Sequence, residues 1–229
     1  MKALEQSFYL QDGISVARNL LGKIMIRVDE GKAYCFKIVE TEAYMGIEDK
    51  GAHVFGDKKT ERTAPLYEIG GTTYIYLIYG MYHCLNIAAN QVGVPHCVLI
   101  RAVEPLDEKA MTYAKSNRPI KSKKIQDLTN GPGKLCKALK IDKSLNAKSV
   151  IPPSGNRELL DDGLWIVEET VEGVVEGIVK ERVKDTLKEK VQEEFEIVAA
   201  KRINIPYAEE YQDKLWRFYI KNNAFVSVR

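Results

Sequence analysis

The sequence predicts a mixed α/β (α+β) fold, a single compact domain built on a curved antiparallel sheet with flanking helices. Three observations lead there. Segments with strand character outnumber those with helix character. They come in runs and do not alternate with helices as βαβ units require. No linker divides the 229 residues, a length that one hydrophobic core can serve.

The elements follow in order. ISVARNLLG (residues 14–22) reads as a short helix closed by Gly22. KIMIRV and AYCFKIVETEAY are rich in β-formers and read as two strands joined near residues 29–32. Residues 48–71 are polar and glycine-containing and read as a long loop, a place where function concentrates. In TTYIYLIYGMYHCLNIAAN, Tyr74 and Tyr76 share one face, and Gly80 permits a tight turn, so a hairpin is expected. HCVLIRAVEP (96–105) reads as a central strand ended by Pro105. Residues 106–117 read as a helix, and NGPGKLCKALKI (130–141) as a turn leading into a basic helix. Residues 163–169, 194–205 and 215–220 read as further strands. Valines and a leucine spaced by four across 171–193 suggest an amphipathic helix, taken as a charged insertion within the domain.

Charge is unevenly placed. The net charge is only +2, but residues 115–148 hold ten basic against two acidic residues. Residues 157–196 hold six basic against thirteen acidic ones. The first stretch suits either a solvated face or a phosphate-contacting surface; the second is wrong in sign for phosphate. The N-terminus lacks the basic head and apolar run of a signal peptide, and no apolar stretch reaches the roughly 20 residues of a membrane span. A cytoplasmic protein without membrane partners is therefore expected; a monomer is expected as well. Cys35, Cys84, Cys97 and Cys136 form no C-x-x-C pair. The dipeptides His83-Cys84 and His96-Cys97 would aim their ligands to opposite faces of a strand, so free buried thiols and no metal site are expected.

Two constellations carry chemistry. Glu40 and Glu42 lie two apart on a strand and share a face. Two exposed strand glutamates are the plain reading. Beside Tyr44, His53 and Arg101, however, an ionised carboxylate could hold and deprotonate a water. Tyr74, Tyr76, Tyr79 and Tyr82 fall within nine residues. They suit hairpin packing, or stacking on nucleobases with Tyr79 as a wedge at the turn.

The blocks VETEAYMGIEDKGAH, YIYLIYGMYHCLNI, VLIRAVEP and NGPGKLCKAL, in this order, resemble those of the alkyladenine (3-methyladenine) DNA glycosylase family. The likeness runs from Ile14 to Pro152 and resumes at Ala200. It implies an enzyme that flips damaged purines out of duplex DNA and hydrolyses the N-glycosidic bond, without a cofactor. The substrates it implies are 3-methyladenine and 7-methylguanine, with hypoxanthine and ethenoadenine as further candidates. By the same resemblance Glu42 is the general base, Arg101 helps hold the water, and the Ile203 carbonyl completes the water site. Tyr44 and His53 stack on one side of the flipped base and Tyr76 on the other, while Asn86 rejects the 2-amino group of guanine. Tyr79 intercalates, and Met81, Tyr82 and Leu99 line the minor groove or support the pocket. Two positions depart from the family pattern: Asn204 stands where glycine is usual, and Leu215 where proline is common. Two other classes fit some of the same residues: a non-catalytic binder of distorted DNA, and a hydrolase of free nucleosides.

Overall fold

The computed structural model describes residues 4–152, 162–168 and 194–228. The expected helix at 171–193 lies outside the described residues. Two short helices open the chain, α1 (Gln6–Tyr9) and α2 (Gly13–Asn19). Asp12 caps α2 by accepting from the amides of Ile14 and Ser15 at 2.9 and 3.1 Å, which satisfies donors the first turn leaves unpaired. Strands β1 (Ile24–Asp29) and β2 (Lys32–Tyr44) form a hairpin, and β3 (Thr73–Ile78) and β4 (Tyr82–Ala89) form a second. Then come β5 (His96–Pro105), α3 (Glu108–Asn117), α4 (Pro132–Ala138), β6 (Gly163–Val167), β7 (Ile197–Ala200) and β8 (Arg217–Ile220).

All the strand pairs are antiparallel. The main path of the sheet is β3-β4-β5-β2-β1-β6, and β8 joins β2 and carries β7. Strand β2 is the hub. Its first half pairs with β1, its last residues pair with β8 on the same edge, and β5 covers the other edge.

Period-two alternation divides the two faces of the sheet. Ile75, Leu85, Ile87, Val98, Ile100 and Ala43 point to one side, where Val16, Ala17, Leu135 and Cys136 of α2 and α4 close the main core. Each leucine, isoleucine or valine so buried stabilises the fold by about 1.5–3 kcal/mol relative to exposure. Thr41 is polar on this face, and its hydroxyl is satisfied by the Ala17 carbonyl at 2.8 Å. The opposite face carries Tyr74, Tyr76, Asn86, Cys97, Leu99, Glu42 and Tyr44.

The 46–71 connection is an ordered loop with short 3-10 turns at Gly46–Glu48 and Ala64–Tyr67. It folds over this second face through Val54, Leu66 and Tyr67, which pack with Tyr74 and Cys97. The expected strand over 194–205 ends at Ala200. The chain leaves the sheet there because Arg202 is drawn into a buried ion pair, described below, and Asn204 takes a left-handed φ of 59°. Among the described residues no helix is long and apolar enough to cross a membrane. All four cysteines are free and buried.

Candidate active site

The sheet register assembles the site in rows. Tyr74 pairs with Asn86, Asn86 with Leu99, Leu99 with Glu42, and Glu42 with Arg217. These five residues form one line across β3, β4, β5, β2 and β8. At about 4.8 Å per strand, Glu42 lies roughly 10 Å from Asn86 in this line. Tyr44 and Cys97 pair in a neighbouring row, and Tyr76 and Cys84 in another.

Glu42 has no exposed surface. Its Oε1 accepts from the Ile203 amide at 2.8 Å and faces Arg101 Nη1 at 3.2 Å. Its Oε2 accepts from the Tyr44 hydroxyl at 2.9 Å. Burial, and next the Glu42 carboxylate, hold the Tyr44 hydroxyl well above the usual phenol range, so it remains a donor. Arg101 reaches the carboxylate because of a bulge. The register steps from Glu40↔Ala102 to Thr41↔Ile100 and leaves Arg101 without a partner on β2. A bulge of this kind re-aims a side chain beside a functional group.

A narrow cleft of about 30 Å³ adjoins this centre. Tyr44, His53, Tyr74, Tyr76, Asn86 and Tyr207 are among the residues lining it. Asn86 is buried and donates from Nδ2 to the Tyr74 carbonyl at 3.2 Å, which fixes the amide plane. His53 Nδ1 lies 2.9 Å from the Tyr74 hydroxyl. Desolvation by the cleft walls, and next the Arg62 charge, press the His53 pKa down to about 4, so the ring is neutral at pH 7. The His53 and Tyr76 rings meet edge to face, with centroids 4.5 Å apart and planes at 74°. A base held between two rings needs them about 7 Å apart, twice the contact distance of ~3.5 Å. A base stacked between His53 and Tyr76 would therefore have to displace the imidazole.

At the hairpin tip, Tyr79 and Gly80 both take left-handed φ, 53° and 69°, and the Met81 amide donates to the Ile78 carbonyl at 3.2 Å. This turn geometry matches the twist of the flanking strands and projects Tyr79 outward. Tyr79 is 78% exposed and Met81 67% exposed, with Tyr82 beside them. Leu99, expected to line the groove or to support the pocket, is only 4% exposed. It is the floor between Asn86 and Glu42 and does not line the outer surface. The group that Ile203 presents to Glu42 is its backbone N–H; the expectation concerned its carbonyl.

The sequence reading passed over several residues that build the site. Asp49 and Arg202, both buried, form a bidentate pair at 2.5 and 2.8 Å, and Arg202 lies over the rings of Tyr44 and Trp216. This pair brings the Ile203 loop onto the end of β2. Tyr207 lines the cleft, and its hydroxyl contacts the Gly51 carbonyl at 3.4 Å. Arg202 stands beside Ile203 in the sequence, but its partner is 153 positions away and no local pattern connects the two.

A family model described as methylpurine-DNA glycosylase matches residues 7–224. A protein of Clostridioides difficile (strain 630) bearing the name "Putative 3-methyladenine DNA glycosylase" is 49% identical over 222 residues, covering 95% of this chain and all of the relative. Proteins of the same name are 45% identical in Clostridium novyi (strain NT), over 99% of both chains, and 41% identical in Natranaerobius thermophilus, over 98% of both. These matches define the class: a DNA repair enzyme of the DNA glycosylase type, a hydrolase of N-glycosyl bonds. Within that class, the chain belongs to the methylpurine-DNA glycosylase family.

Proposed function

We propose that this enzyme excises alkylated purines, 3-methyladenine and 7-methylguanine first among them, from duplex DNA by base flipping and attack of a water activated by Glu42. The observation that carries the reading is the row joining Glu42 through Leu99 to Asn86, beside a cleft walled by Tyr44, His53 and Tyr76. Flipping costs a few kcal/mol of unstacking and unpairing. Tyr79, projecting from the hairpin tip, offsets that cost by filling the gap in the stack. The flipped base enters among Tyr44, Tyr76 and a displaced His53 imidazole, with Asn86 beside its edge as a barrier to the 2-amino group of guanine.

Alkylation places positive charge on the purine. The electron-rich faces of Tyr44 and Tyr76 attract that charge, and a neutral His53 does not repel it. The same charge makes the base a good leaving group, so the remaining need is a positioned water and a base. Oε1 of Glu42 is already engaged by Ile203 and Arg101, whereas Oε2 holds only the Tyr44 hydroxyl. Oε2 is thus the oxygen left to accept the proton of water. As water oxygen bonds to the sugar C1′, the C1′–N bond breaks and its electron pair leaves with the purine. Among the described residues no lysine lines the cleft; the adjoining cavity is lined by Lys50, which pairs with Glu209 and Glu210, and by Lys58. This favours simple hydrolysis that leaves an abasic site, without a Schiff-base step. The basic 115–148 stretch then contacts phosphates and positions the duplex without reading sequence.

A direct test compares base release from methylated duplex DNA with release from the matching free nucleoside. Preferential release from duplex DNA is expected. Preference for the nucleoside would refute the flipping mechanism and favour a nucleoside hydrolase.

A further inference from the structure

Glu40 has no exposed surface, like Glu42, yet it plays no part in the chemistry above. Its Oε1 receives Arg101 Nε at 3.3 Å, Arg217 Nη1 at 2.9 Å and the Ser227 hydroxyl at 3.0 Å. Its Oε2 receives the Ser227 amide at 2.7 Å. Four donors leave this carboxylate little capacity for a water or a substrate. The same Arg101 turns its Nη1 to Glu42 at 3.2 Å, so one guanidinium is shared between two buried carboxylates. Arg217 also donates to the carbonyls of Lys201 at 2.9 Å and Val228 at 2.8 Å. Lys201 begins the loop that delivers the Ile203 amide to Glu42. Strands β2, β5 and β8 and the C-terminal tail thus converge on Glu40.

Stability alone does not account for such a cluster. Buried ion pairs are often matched or exceeded in stability by apolar side chains of similar volume. Apolar groups could not orient Arg101, because that takes a charged acceptor fixed on the far side of the guanidinium. We infer that Glu40 is a positioning residue for base release, holding Arg101 in the orientation that presents Glu42, and that Ser227 of the C-terminal tail is part of that support. The inference rests on Glu42 acting as the base.

The test uses the full chain with Glu40→Gln and, separately, Ser227→Ala, under single turnover with enzyme in excess over methylated duplex DNA. The cleavage rate constant, the affinity for lesion DNA and the melting temperature are measured together. For Glu40→Gln the expected result is a rate constant lower by about 10²-fold, the effect of displacing a catalytic group by about 1 Å, with lesion affinity close to wild type. Ser227→Ala, which keeps the backbone N–H hydrogen bond to Glu40, should fall in the same direction by a smaller factor at an unchanged melting temperature. A merely structural role would lower the fraction of active molecules, seen in the reaction amplitude, and leave the rate constant of the folded molecules unchanged. That result, or a wild-type rate constant in Ser227→Ala should Glu40→Gln fail to fold, would overturn the inference. Wild-type protein that releases no base would instead refute the underlying reading.

Discussion

Replacing Asp49 by Asn keeps the side chain's shape and removes its charge. Asp49 faces both terminal nitrogens of Arg202, and neither side chain has exposed surface. It also accepts from the amides of Met45 at 3.0 Å and Gly51 at 2.9 Å. The substitution strands the Arg202 cation in a dry site whose other partners are the carbonyls of Ala43 and Tyr211 and the ring faces of Tyr44 and Trp216. Breaking one half of a buried pair costs about 3–5 kcal/mol. For a chain of this size that is a fall in melting temperature of roughly 6–20 °C. Urea denaturation of wild type, Asp49→Asn and the double variant Asp49→Asn/Arg202→Met measures it. The double variant should recover most of the loss, because the stranded charge is gone. A single-variant loss below about 1 kcal/mol, or a double variant no better than the single, would refute this account of how the Ile203 loop is held.

Other expectations follow from the same geometry. Tyr79→Ala should leave stability unchanged, since the ring is 78% exposed, and should weaken flipping by roughly 1–3 kcal/mol; an unchanged signal from a fluorescent flipped base would remove the wedge assignment. Asn204 already has a φ of 59°, so Asn204→Gly should keep base release with stability within about 1 kcal/mol. Asn204→Val should cost at least about 1–2 kcal/mol in urea denaturation and slow the reaction, and equal behaviour of the two variants would contradict a conformational role. His53, lowered to about 4 from 6.5, contributes stability that is complete above about pH 6.5 and is lost as pH falls through about 4. Affinity for a cationic lesion should weaken over that descent more than affinity for a neutral one, and parallel titrations of the two would contradict the stacking role. Lesion-DNA affinity should fall linearly on a log–log plot against salt if the 115–148 lysines meet phosphates; a flat dependence would place that stretch away from DNA.

Much of this site was legible in the sequence because it lies on strands. Alternation in VETEAY puts Glu42 and Tyr44 on one face, and Gly80 marks the turn that exposes Tyr79; the structure places all three accordingly. Long-range pairing was not legible. The sequence holds no sign that Arg101 is bulged, since that depends on the register of β5 against β2. Residues 201–205 carry the alternation of a strand, and yet the free energy of the Asp49–Arg202 contact takes them off the sheet and delivers Ile203 to Glu42.

In the proposed mechanism Glu42 activates the attacking water. The most direct measurement is single-turnover release of 3-methyladenine from alkylated duplex DNA, by wild type and Glu42→Gln side by side and without added metal. Release by wild type, none above background by Glu42→Gln, and retained lesion binding by the variant are expected. Wild-type turnover by Glu42→Gln would contradict that mechanism, and would move the search for the base away from the Glu42–Arg101–Ile203 centre.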